Sequence, residues 1–184
     1  MKLLTLSLVI LILTGCATLN QEECKRGDWY TLGLNDGLSG QTSGRLSQHQ
    51  EACSEYGIMI NHEQYQAGRT QGLNDYCRLE NAFKTGLNGQ QYQHVCPPAI
   101  DSLFSRYNSA AYQVYQDRTE LERIDNELSN KENSLSDKKR SDSDRNRIRN
   151  EIRDLDRRRH RLNDDMYQHQ RLVDDLNAEA RKYR

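Results

Sequence analysis

The chain has 184 residues with 26 basic and 27 acidic side chains, a formal net charge of −1, 29% charged residues and 35% hydrophobic ones. That length holds one modest domain and an appendage, and a chain so polar does not bury all of itself. Acids and bases are interleaved, without the one-signed stripe that nucleic acid requires, so nucleic acid is not an expected partner.

At the N-terminus, Lys2 precedes a mostly apolar run, Leu3 to Leu13, followed by Leu13-Thr14-Gly15-Cys16. The run is roughly half of the ~20 apolar residues that a spanning helix needs. Residues 1–15 read as a signal peptide. The pattern resembles the lipobox of bacterial lipoproteins, which implies lipidation of Cys16. Residues 16–23 are then expected as a short lipid-anchored linker. Two or more acyl chains anchor stably, because each buried CH₂ contributes about 0.8 kcal/mol. Ala17 stands where an inner-membrane retention signal would place Asp. The resemblance therefore implies an outer-membrane address facing the periplasm, with the membrane as a partner through the lipid.

All eleven glycines precede the single Pro97-Pro98 pair, and everything after Ala99 lacks both residue types. Composition switches there, which predicts a domain over 24–98 and a separate tail over 99–184. Cys24, Cys53, Cys77 and Cys96 all fall before the switch. Four cysteines in an exported chain read as two disulfides, with three connectivities open. Alternating helices would set Cys24 before one helix and Cys53 near the end of its antiparallel successor, with Cys77 and Cys96 flanking the next segment. That arrangement favours Cys24–Cys53 and Cys77–Cys96.

Within this domain, helices are expected at roughly 28–39, 45–56, 62–76 and 80–88, with a loop carrying Tyr92 to Cys96. Asp28 is placed to cap the first helix. Ser47 lies near the start of the second and Gly57 closes it. Asn61 opens the third with Gln64 in capping-box position. There is also an internal echo. Tyr30-x-x-Gly33-x-x-x-Gly37-Leu38 recurs 35 residues later as Tyr65-x-x-Gly68-x-x-x-Gly72-Leu73, and Phe83-x-x-Gly86-x-x-Gly89 is a partial third copy. Glycines four apart share a helix face, and each costs a helix about 1 kcal/mol relative to Ala. Close helix packing is the expected return, with a ligand-facing groove as the alternative.

These motifs also carry a family resemblance. Gly27-Asp28-Trp29-Tyr30, Gly33, Asp36-Gly37, His49 and Ala52-Cys53 resemble the bacterial lipoprotein family known as domain of unknown function 2799. So do the Tyr65 to Leu73 motif, Tyr76-Cys77, Asn81-x-Phe83-x-x-Gly86, and Tyr92-x-x-Val95-Cys96-Pro97. The resemblance spans residues 24 to about 115 and implies no established activity. Ala82, where the pattern has Gly, is a small departure.

Three sets of residues invite chemistry. His49 and Cys53 lie one helical turn apart, as zinc ligands or a Cys–His pair would. His62 and His94 stand alone, and an oxidised Cys53 with a packed His49 is the expected arrangement. Asp28, Asp36 and Asp75 offer carboxylates for glycoside hydrolysis, but Asp28 is expected as a cap and the other two as solvated. Trp29, the single tryptophan, is expected in the core. No residue is therefore assigned a catalytic, cofactor-binding or metal-binding role. Asp28, Trp29, Tyr30 and Tyr65 are the candidate binding surface.

The tail reads as coiled coil. Tyr107, Val114, Leu121, Leu128 and Leu135 recur every seven residues, and Ile148, Leu155, Leu162, His169 and Leu176 form a second series. The two are out of phase across an apolar-free stretch, Ser136 to Arg147. An antiparallel hairpin folding at Ser141-Asp142 would set Leu135 opposite Ile148, Leu128 opposite Leu155, and Leu121 opposite Leu162. One continuous helix with a stammer is the alternative. Arg159 and His169 fall on the seam, where polar residues fix register.

The whole is expected to be all-α: a small disulfide-stapled helical domain followed by a long coiled-coil hairpin. The expected role is non-enzymatic, with an envelope protein partner or self-association through the coiled coil. A binding module for peptidoglycan glycan or peptide is the alternative, and a periplasmic hydrolase a third reading.

Overall fold

A computed structural model describes residues 18–137 and 139–183; Cys16 and the expected signal peptide lie outside them. Seven α-helices occur among the described residues, with no strand: α1 Gln21–Arg26, α2 Trp29–Leu38, α3 Gly44–Ser54, α4 His62–Tyr76, α5 Leu79–Leu87, α6 Pro98–Leu135 and α7 Asp142–Ala180, ending in a 3-10 turn Arg181–Tyr183. Four of these lie within about two residues of the expected helices. The short α1 was not expected. Its start is nonetheless written locally: Asn20 accepts from the Glu23 N–H at 3.0 Å while the Glu23 carboxylate accepts from the Asn20 N–H at 2.8 Å, a reciprocal capping box.

The glycine echo makes the first helix pair. A Cβ on Gly33 would lie 2.0 Å from the Tyr65 carbonyl oxygen, and one on Gly68 would lie 2.0 Å from that of Tyr30. One turn on, Gly37 opposes the Arg69 carbonyl and Gly72 that of Leu34. Residue numbers rise together on both helices, so α2 and α4 are parallel and cross backbone to backbone about an approximate two-fold relation. α3 returns the chain between them.

The partial third copy repeats the device. A Cβ on Gly86 would meet the Asn108 carbonyl oxygen at 2.5 Å, then Ala111 and the Tyr112 N–H nitrogen. Asn108 stands where Tyr65 stands in the first pair, and Ala111 where Gly68 stands. The cysteines follow the same rule. Both expected disulfides are present, Cys24–Cys53 and Cys77–Cys96, with Cα–Cα distances of 5.5 and 5.6 Å. Each joins the segments entering the two helices of its parallel pair. The chain thus holds two stapled units of one design, α2 with α4 and α5 with α6. In the second, the loop before α6 replaces α3. It is pinned by the buried Asn108, whose side chain accepts from the Tyr92 N–H and donates toward Thr85 Oγ1 and the Gln90 carbonyl.

The compositional switch at residue 98 is not a packing boundary. One apolar cluster takes Tyr76, Phe83 and Tyr92 from before it, Phe104 and Tyr107 from after it, and Val173, Leu176 and Ala180 from the far end of α7. Phe83 stacks on Tyr107 at 5.0 Å and Phe104 lies 4.6 Å from Tyr92 between ring centroids. A separate cluster of Leu19, Cys24, Trp29, Cys53, Ile60 and Tyr65 fills the first unit. α6 is exposed along one face from its first turn, at Pro98, Ala99, Ser102 and Arg106, while Phe104, Tyr107 and Asn108 on the other face are buried.

α6 and α7 form the expected antiparallel hairpin. Cross-helix contacts climb one arm while descending the other: Asp117 to His169 at 2.6 Å, Glu120 to Arg158 at 2.7 Å, Lys131 to Glu151 at 2.5 Å. Ile124, Leu128 and Leu155 form the seam, flanked by Ile152 and Leu162. α6 ends at Leu135 and α7 begins at Asp142, so the reversal precedes Ser141-Asp142 rather than centring on it. Arg145 closes it by donating to the Leu135 and Asp137 carbonyls, and Ser141 caps α7. His169 lies on the seam as expected, against a buried Asp117. Arg159 sits instead on its edge, paired with Asp156 and Asp125. Spin labels at 121 and 162 are expected within about 20 Å of each other; a continuous helix would separate them by roughly 60 Å.

Candidate functional site

The most organised polar group in the chain was not foreseen as one. His49, on α3 and 2% exposed, sets Nε2 2.9 Å from Asp36 Oδ2 on α2 and Nδ1 2.7 Å from Thr18 Oγ1. The Tyr65 hydroxyl, on α4, donates to the same Asp36 oxygen at 2.7 Å. An ionised Asp36 only accepts, so Nε2 carries a proton toward it. In neutral His49, Nδ1 then accepts from the Thr18 hydroxyl. Hydroxyl, imidazole and carboxylate lie in the order that activates nucleophiles elsewhere. Here the relay joins four chain segments around the first disulfide, and its largest visible effect is to fasten them.

Burial pushes the Asp36 carboxyl upward, but hydrogen bonds from His49 and Tyr65, with the charges of His49 and Arg45, outweigh it and hold Asp36 below the usual carboxylate range. Burial first, and then the bond to Asp36, push the Tyr65 phenol far above its ordinary value. The sign for stability follows. A carboxyl depressed on folding contributes fully above its unfolded pKa, and the contribution is lost as pH falls through the folded value. Asp36→Asn is therefore expected to destabilise by a constant amount at neutral pH. That difference should narrow below about pH 4, as measured by denaturant titrations from pH 7 to 2.

The candidate surface residues do not assemble. Asp28 caps α2, accepting from the Thr31 N–H at 3.2 Å. Trp29 is 7% exposed and Tyr65 is wholly buried, whereas Tyr30 is 44% exposed. Asp28 and Trp29 do line one cleft of about 160 Å³ together with Leu19, Arg26, Thr31 and Asn35, but Trp29 shows it little ring face. Cys53 is oxidised, so His49 has no thiolate partner. Asp36 is buried, not solvated as expected, while Asp75 is exposed. Asp28 and Asp36 stand two turns apart on one helix, about 12 Å along its axis, beyond the separations used in glycoside hydrolysis. Among the described residues no group of three or more His, Cys, Asp or Glu is placed to hold a metal, and no helix is long and apolar enough to cross a membrane.

The Asp36–His49–Tyr65 group was missed because its members lie 13 and 29 residues from Asp36 and share no motif. The signal available was the echo itself, which places Asp36 beside Gly37 on the face that meets α4.

Residues 28–113 match the model of a family described as Protein of unknown function (DUF2799), the family that the sequence motifs resemble. The match runs from the cap of α2 to just past the α5–α6 crossing and leaves out most of the hairpin. No curated protein and no solved structure matches the chain.

Proposed function

We propose that this chain, whose residues 28–113 carry the DUF2799 domain, is an outer-membrane lipoprotein that presents a coiled-coil hairpin to a protein partner in the periplasm. Lipidation at Cys16, followed by removal of residues 1–15, supplies the anchor. The observation that carries the reading is the mounting of the hairpin. Val173, Leu176 and Ala180 at the end of α7 sit in the same core as Phe83 and Phe104, so the arms rise from a stapled base instead of trailing from it. Each arm spans roughly 60 Å and is faced with ion pairs such as Glu120–Arg123 and Arg147–Glu151. Exposed pairs of this kind contribute little to stability, which leaves those faces free to be chosen by a partner.

Photo-crosslinking residues at 132 and 149, both exposed near the reversal, test the reading in cells. Protein adducts enriched at these positions over positions on α3 are expected. Capture of glycan strands alone would overturn it in favour of a peptidoglycan-binding module.

A further inference from the structure

The segment next to Cys16 is not a free linker. Thr18 is bonded to the buried His49, Leu19 is buried in the core of the first unit, and α1 follows immediately, held by Cys24. Only Ala17 separates Cys16 from the first fastened residue. A lipid on Cys16 would therefore hold this particular side of the domain against the bilayer.

The same unit carries an exposed apolar loop. Between α3 and α4 the chain reads Tyr56-Gly57-Ile58-Met59-Ile60. Ile60 is buried and Ile58 half-buried against the core, whereas Met59 is 78% and Tyr56 39% exposed. Gly57 has a φ of +69°, and a Cβ built there would meet nothing within 4 Å, so the turn projects into open space. The loop and the anchor segment share one cluster, in which Leu19 is buried with Ile60 and Ile58 packs against it, and α3 holds both. Thr18 bonds His49, and Gln50 holds the loop through its side-chain oxygen, which accepts from the Ile60 N–H at 3.1 Å, with Met59 Sδ 3.9 Å from its nitrogen.

We propose that Tyr56, Ile58 and Met59 form a membrane-contacting surface, seated in the interfacial layer of the bilayer in which the Cys16 lipid is inserted. The proposal rests on the lipid-anchor reading above. Three apolar side chains would not hold a free protein on a bilayer. A tether one residue from the fold makes their contact intramolecular, and the effective concentration does the rest. Tyr suits the headgroup level, with its ring in the apolar boundary and its hydroxyl in water. Glu51, Glu55 and Glu63 lie close in sequence, so a zwitterionic surface fits this loop better than an anionic one.

The methionines supply the test. The chain has three: Met1 within the expected signal peptide, Met59 in the loop, and Met166 in the hairpin. The full chain, processed by its host and methyl-labelled on methionine, is reconstituted into phosphatidylethanolamine–phosphatidylcholine nanodiscs containing a doxyl-labelled lipid. The Met59 methyl signal is expected to lose most of its intensity while that of Met166 is kept. Equal retention by both, in a chain shown by mass to be acylated and by sedimentation to be bound, overturns the surface and leaves the anchor standing. Loss of both signals places the hairpin on the bilayer and overturns the orientation. A chain neither acylated nor bound removes the anchor, and this proposal with it.

Discussion

Gly33→Ala is expected to abolish the packing of the first helix pair, at a cost of about 3 kcal/mol or more. Overpacking of a core ordinarily costs about 1–3 kcal/mol because side chains yield. Here the added Cβ would sit 2.0 Å from a backbone carbonyl oxygen, with the Arg69 nitrogen at 3.0 Å, and neither can move without parting the helices. Domains of this kind are stable by roughly 5–15 kcal/mol in total, so the variant approaches the margin. Two controls separate the clash from the conformational effect of the added methyl. Gly44→Ala meets nothing closer than 3.7 Å and should stabilise by roughly 0.5–1 kcal/mol. Gly57→Ala meets nothing at all but keeps a positive φ, and should cost about 1–2 kcal/mol. Urea titrations of the three variants check the order. A Gly33→Ala protein as stable as Gly57→Ala would show that the parallel crossing is loose.

Replacing Cys24 and Cys53 together with Ala is expected to cost about 3.5 kcal/mol, and replacing Cys77 and Cys96 about 3 kcal/mol, on chain-entropy grounds for loops of 29 and 19 residues. Where the loss falls distinguishes the two. The core of the first unit and the core at the base of the hairpin are separate clusters. The first double variant should therefore lose hydrogen-exchange protection in α1–α4 while α6 and α7 keep theirs. The second should loosen α5 and the Tyr92 loop and leave Leu19, Trp29 and Tyr65 protected. A uniform loss of protection in both variants would mean that the units open as one.

Much of this was legible in the sequence, for reasons that can be stated. Heptads at Tyr107–Leu135 and Ile148–Leu176 give the tail its periodicity, and the phase break between them gives its reversal. The spacing of Tyr, Gly and Gly survives in the structure because close helix contact tolerates no Cβ. The disulfides followed from the alternation of helices. What escaped notice depended on pairing across distance. Asp36 reads as a solvated helix residue until α3 and α4 bring His49 and Tyr65 to it. Asp117 reads as one charge among many until the hairpin folds it against His169. The boundary at residue 98 was drawn from glycine and proline usage, which reports backbone conformation, whereas the core that crosses it is decided by Phe104, Tyr107 and Val173. In the candidate surface, Trp29 lies in the core where a lone tryptophan is expected, whereas Tyr65 on α4 reads as an aromatic able to bind but is wholly buried with its hydroxyl on Asp36.

The return of Val173, Leu176 and Ala180 to the base has a consequence in time. The first unit has its complete core once α4 has emerged, since nothing after Tyr65 belongs to it. The second cannot finish until residue 180 exists, although its other members end at Val114. At ribosomal speeds of about 5–20 residues per second, the part of this core that ends at Val114 waits roughly 3–13 seconds for its cover. During that interval the growing chain carries one finished half and one greasy, half-built one. The late hairpin arm is what ends the exposure, so a premature stop anywhere in α7 before Val173 would release a chain in which that exposure is permanent.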